Sequence, residues 1–294
     1  MQNLKKISTL FLTTILLSLI GVIGRFVLIS NYFDAETKFF TNTTFAIIVS
    51  VYVILSAVAM YILSKKISYT IPCSGTLPSV LNICASIIFI IILFITLTTE
   101  SQLPVSGIER ATNVISCIAA IMSVIYYSAS AVFAFSKKNL YTGVFRLMNL
   151  SPVLYLASEL ISTFAKVSGQ ANSLYYFPYI ISILVLAFFI FTDSKSKITG
   201  LSNNRVPVLG YSLVAIIVLP FSAIPDLAFH FKGTVPLSKI VLHFSAIPDL
   251  ALHFKGTVPL SKIEITHCIL NLLYFVYITS MLIAKLNAFK EDKQ

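Results

Sequence analysis

The sequence predicts an all-α, polytopic integral membrane protein, a bundle of about eight transmembrane helices. Three observations predict it. Of 294 residues, 57% are hydrophobic and only 11% charged, whereas a soluble domain carries about 25% charged residues. Mean hydropathy is +0.91. Apolar tracts of roughly 20 residues, the length a helix needs to cross a bilayer, follow one another from end to end and leave no stretch for a separate soluble domain.

The tracts fall at about 8–30, 43–63, 78–98, 112–135, 143–165, 174–192, 207–226 and 264–284. The first follows Lys5 and Lys6 and so imitates a signal peptide. It is longer than a typical h-region, lacks a small-x-small exit and carries Arg25 late, so an uncleaved first span is expected. The fifth, GVFRLMNLSPVLYLASELISTFA, is the least apolar. It is a span lined on one side by protein, or an interfacial helix; the span keeps the charge pattern regular. Asn149 and Pro152 mark a place where it could break, and broken helices expose backbone groups that bind ions in some transporters. The sixth opens with SLYYFPY at 173–179. Tryptophan is absent, so tyrosine is expected to supply the interfacial belt there.

Charge sets the orientation. With the N-terminus inside, the cytoplasmic segments hold thirteen lysines and arginines and the outer segments seven. Basic residues concentrate on the cytoplasmic side of membrane proteins, so both termini are expected in the cytoplasm, in a cell membrane and most simply a bacterial cytoplasmic one. The net charge of +10 belongs to these short segments. No basic patch with interleaved aromatics points to nucleic acid. The partners expected are the lipid bilayer and unidentified membrane or ATPase subunits, because the chain carries no nucleotide-binding motif of its own.

Residues 218–240 and 241–263 form a near-identical tandem duplication of 23 residues, differing only at Pro220/His243 and Phe229/Leu252. Solenoids need at least three repeats, so a recent or engineered copy is expected rather than an old array. The region is expected to be mainly an external loop or interfacial segment. Lys239, His243 and Asp249 would be costly in a span, and a long loop adds little closure entropy.

Two ionisable residues lie well within apolar tracts, Arg25 and Glu159, at similar depth. Such residues are expensive in a membrane and point to function. The expectation is an intramembrane ion pair between them. Ser123, Tyr127 and Ser130 in the fourth tract, with Asn149 in the fifth, are candidates for a polar lining; the same hydroxyls also join packed helices. His230 and His253 are one position copied, so they carry no independent sign of a metal site. No metal, cofactor or catalytic residue is expected: HExxH, GxSxG, Walker A and GxGxxG are all missing. The expected function is a transporter or permease-like component. The alternatives are a non-catalytic membrane partner or assembly protein, and an intramembrane enzyme acting on lipid or peptide, for which His267 would be the base.

Overall fold

The computed structural model describes residues 2–34, 39–65, 67, 76–99, 107–136, 144–167, 173–199, 208–234 and 261–291. The elements are α1 (Gln2–Tyr32), a two-residue hairpin of β1 (Phe33–Asp34) and β2 (Phe39–Phe40), α2 (Thr43–Ser64), α3 (Thr76–Thr99), α4 (Gly107–Phe135), α5 (Val144–Met148), α6 (Ser151–Val167), α7 (Ser173–Thr199), α8 (Val208–Thr234) and α9 (Lys262–Glu291). Among the described residues, seven of these helices, all but α5 and α6, are long and apolar enough to cross a membrane. The chain is an all-α polytopic bundle.

Its surface is inverted relative to a soluble protein. Leu12, Leu16, Leu19, Ile20 and Ile23 of α1 face outward, while Thr14, Ser18 and Arg25 of the same helix are buried. A polar group in hydrocarbon must find a partner within the protein, so the polar stripe turns inward and the aliphatic stripe meets lipid.

Side-chain contacts fix the direction of each helix. Ser18 meets Ile216 and Arg25 meets Asp226, so α1 and α8 run parallel. Tyr61 and Ser64 flank Gly210 while Val53 and Phe221 flank Gly21, so α2 opposes α8. Ser116 with Ser158 and Ser123 with Ser151 set α6 against α4. Tyr179 with His267 and Phe189 with Tyr274 make α7 and α9 parallel. Phe188 on Tyr211 at one end and Tyr175 beside Phe229 at the other oppose α7 to α8. α1 and α8 therefore point one way and α2, α7 and α9 the other, with α6 opposed to α4, and the first and last helices bring Lys6 and Leu286 to the same end of the bundle.

Four expectations change against these elements. The tract at 143–165 is not one helix: it stops at Asn149 and Leu150 and restarts at Ser151. Proline has no N–H, so Pro152 leaves the carbonyl of Met148 without its helical donor. The Ser151 hydroxyl donates to that carbonyl at 2.7 Å. The rings of SLYYFPY do not form a belt, since Tyr175 and Tyr179 are buried. Tyr175 stacks on Phe33 of the hairpin, with centroids 5.2 Å apart. The seventh tract does not end at 226: α8 runs on to Thr234.

The first copy of the duplication is consequently not a loop as far as residue 234. It forms the distal half of α8, the most buried of the long helices. It carries two prolines within the helix, Pro220 and Pro225. Pro220 frees the carbonyl of Ile216, which accepts from the Ser18 hydroxyl of α1 at 2.9 Å. Phe229 packs against Phe26, with centroids 5.8 Å apart. Pro220 and Phe229 are the two positions at which the copies differ. Residues 235–260, the end of the first copy and nearly all of the second, lie outside the described residues.

The last residues of the second copy start α9 through a capping box. The Ser261 amide donates to Glu264 Oε2 at 2.7 Å, and the Glu264 amide donates to Ser261 Oγ at 3.2 Å. In the first copy the corresponding Ser238 is followed three residues later by Val241, which cannot complete the box. Removing residues 241–263 would join Ser238-Lys239-Ile240 to Glu264 and restore the same motif. Positions 235–238 would then link α8 to α9, within the span of about 2–8 residues usual between bundle helices.

The two possible deletions should differ. A chain lacking 241–263 is expected to insert and to melt like the parent. A chain lacking 218–240 places His243 and Leu252 where Pro220 and Phe229 pack, and is expected to lose about 1–3 kcal/mol through the buried imidazole and the lost ring contact. Thermal unfolding followed by a thiol-reactive dye at the buried Cys268 measures both.

Candidate functional site

Two polar clusters occupy the interior near the hairpin end of the bundle. The first joins α1 to α8. Gly21 lets α1 approach closely: a Cβ there would lie 3.2 Å from Val53 and 3.7 Å from Phe221. One turn further on, Arg25 Nη2 donates to both carboxylate oxygens of Asp226, at 2.7 and 2.8 Å. The guanidinium also lies 5.2 Å from the Phe221 ring centre, an electrostatically favourable placement. Arg25 is 2% exposed and Asp226 6%. The carboxylate partner of Arg25 is thus Asp226, not the expected Glu159. The expectation failed because Asp226 stands where the seventh tract was taken to end, within a segment whose duplication reads as a loop. A buried charge demands a paired charge, so Arg25 itself was the signal that an acid further along α8 had to be inside.

Glu159 belongs to the second cluster, built from α6, α7 and α9. Its Oε2 is 3.8 Å from His267 Nε2. The same nitrogen is 2.9 Å from the Tyr155 hydroxyl. Tyr155 and Glu159 are four residues apart on α6 and therefore share a face. The imidazole stacks on the Tyr155 ring and meets the Tyr179 ring edge-on, with centroids 5.6 and 5.5 Å away. One turn along α9 from His267, Asn271 Nδ2 donates to Ser182 Oγ at 3.1 Å. Glu159 is partly exposed, while His267, Tyr155 and Asn271 are fully buried.

The expected polar lining does not come together as one surface. Ser123 donates to the Ala119 carbonyl at 2.7 Å and to Ser151 Oγ at 3.1 Å, tying α4 to α6. The Tyr127 hydroxyl bonds that of Tyr274, tying α4 to α9. Ser130 is buried further along α4. Asn149 Nδ2 reaches the Ser194 carbonyl at 3.5 Å, and Ser194 Oγ donates to Asn149 Oδ1 at 3.1 Å, tying the break before α6 to α7. Ser123, Tyr127 and Asn149 thus each join a different pair of elements.

No known protein family, curated protein or solved structure matches this chain. The chemistry must therefore be read from the site.

The second cluster brings a carboxylate, an imidazole and a phenol, all able to exchange protons, to the meeting of three helices. One of these helices starts just after a break. The imidazole offers hydrogen-bonding nitrogens on two edges, and the Tyr155 hydroxyl holds only one. Tyr155→Phe removes that partner and leaves Nε2 buried without its closest bond. The variant is expected to lose about 1–3 kcal/mol of stability, read as a lower unfolding midpoint. Tyr176→Phe, at a half-buried phenol on the neighbouring helix, is expected to melt like the parent.

Proposed function

We propose that the protein is a transporter or permease-like component of a cell membrane, with Glu159 and His267 as its ion-handling pair. The observation that carries this reading is the contact between the two. An acid and an imidazole from different helices meet inside the bundle, and the acid lies about 14 Å along α6 from the interruption at Asn149 and Leu150 that precedes that helix. Ionisable residues held within a membrane bundle mark ion pathways, and interrupted helices recur where transporters bind their ions. The Arg25–Asp226 pair is the structural partner of this site: both charges are spent on each other, in two hydrogen bonds from one nitrogen.

Eight passes, with α5 and α6 together forming the fifth, complete the proposal. The helix ends carrying Lys6, Lys65 and Lys195 lie at one end of the bundle, and the excess of basic residues places that end in the cytoplasm. The basic bias fits a bacterial cytoplasmic membrane, and an ATPase subunit would have to come from another chain. An intramembrane enzyme is less well supported. The hydrogen-bond partner of His267 is a phenol, Tyr155, rather than a serine or cysteine that it could activate as a nucleophile.

The test is solid-supported membrane electrophysiology on proteoliposomes, with concentration steps in pools of amino acids, sugars and inorganic cations. Charge displacement is expected in the parent and is expected to vanish in Glu159→Gln. Silence of the parent to every pool would contradict transport and favour the non-catalytic membrane partner.

A further inference from the structure

The hydrogen bonds around His267 and Asn271 leave two buried atoms with no partner among the described residues, and their chemistry identifies the ion. The Ser182 hydroxyl donates to the Tyr179 carbonyl at 2.8 Å. Having spent its proton there, Ser182 Oγ accepts from Asn271 Nδ2 at 3.1 Å. That fixes the Asn271 amide and leaves its Oδ1 as a buried acceptor without a donor. His267 Nε2 faces the Tyr155 hydroxyl and Glu159, while His267 Nδ1 is buried and equally without a partner. His267 and Asn271 are four residues apart on α9 and share one face. Both are 1% exposed. Unpaired buried polar atoms are rare and call for a water, an ion or a catalytic role.

We infer that His267 is a proton relay, so that the ion handled at this site is H⁺. The inference rests on the transport reading and names its coupling ion. One edge of the imidazole looks to an acid. The other carries the unpartnered Nδ1, one turn of α9 from the unpartnered Asn271 Oδ1, and a water molecule is the smallest guest able to donate to that oxygen and to deliver a proton to Nδ1. The step balances as follows. A proton carried by that water bonds to Nδ1, the Nε2–H bond breaks, and its proton passes to Glu159 Oε2. The ring begins and ends neutral, with its proton on Nδ1 in place of Nε2. The Glu159 side chain must close its 3.8 Å separation by about 1 Å to accept, and its partial exposure gives it room. The titratable groups that face the ring are Tyr155 and Glu159 on α6 and Tyr179 on α7, and those near these two phenols are Cys117 on α4 and Glu264 and Cys268 on α9. Arg25 does not face the ring directly, because Asp226 holds it on the α1–α8 side.

The experiment uses the full chain in vesicles of phosphatidylethanolamine and phosphatidylglycerol loaded with a pH dye. Proton uptake is driven by a valinomycin–potassium potential. The parent is expected to take up protons faster than protein-free vesicles. His267→Gln and Glu159→Gln are expected to fall to the protein-free rate, and Asn271→Ala to slow uptake. Ser116→Ala, in the hydroxyl pair between α4 and α6, keeps the parent rate. Parent uptake at the protein-free rate, with solute currents intact, would overturn the relay and leave transport standing; loss of both signals would remove both. Uptake that survives in a folded His267→Gln would also overturn the relay. Should His267→Gln fail to fold, nitrogen-15 histidine NMR on a chain with His230, His243 and His253 replaced by glutamine decides. A magnetisation-transfer peak between His267 Nδ1 and water is expected, and its absence overturns the relay.

Discussion

The centre of this bundle depends on partnering, without water, the carboxylate of α8 and the carbonyl that Pro220 frees. α8 is the helix that α1, α2, α7 and α9 surround, and it carries two prolines and a carboxylate. In hydrocarbon each unsatisfied backbone group costs several kcal/mol, and an unpaired charge costs more. α1 supplies the remedy on one face. Ser18 covers the carbonyl that Pro220 leaves bare, Gly21 permits the approach, and Arg25 neutralises Asp226. These three positions are spaced at i, i+3 and i+7, the spacing that keeps side chains on one face of a helix. The outer face of α1 is free to be aliphatic because its inner face does this work.

The same logic explains why the two clusters differ in kind. Arg25 and Asp226 pair through two short, charge-assisted bonds from Nη2, with Arg25 Nε left buried and unpartnered among the described residues. Glu159 and His267 stand 3.8 Å apart, with one imidazole nitrogen open. A tightly closed pair stabilises the fold; a loosely closed one with a vacant edge can exchange a proton. The proposed function falls to the α6–α7–α9 side, where the short α6 follows a break, and the closed ion pair lies on the α1–α8 side, where the helices are long and continuous.

Much of this was legible in the sequence. Apolar length and low charge gave the helices, and the rarity of buried charges singled out Arg25 and Glu159 as residues that needed company. Their partners were not legible. Asp226 was obscured by the duplication: the second copy follows so closely that both copies look like one long connection. The only visible signs that the first belongs to α8 are the substitutions at Pro220 and Phe229, and these acquire meaning only once Ser18 and Phe26 are seen beside them. His267 was hidden differently. A lone histidine near the start of a span has no periodic signature, and its tie to Tyr155 links helices 112 residues apart in sequence. The break before α6 could be anticipated from Asn149 and Pro152, since proline chemistry is local, whereas the Ser194 contacts that hold it are not.

The measurement that tests this account most directly is a double-mutant cycle on the pair at its centre, with unfolding free energies taken in mixed micelles. Asp226→Leu leaves a buried guanidinium alone and Arg25→Met leaves a buried carboxylate alone. Each is predicted to cost about 3–5 kcal/mol. The double variant, which buries two apolar side chains instead, is predicted to recover most of that loss. If each single change is nearly silent, or if the double variant is as unstable as the two losses combined, Arg25 and Asp226 do not hold α8 in place and the account is wrong.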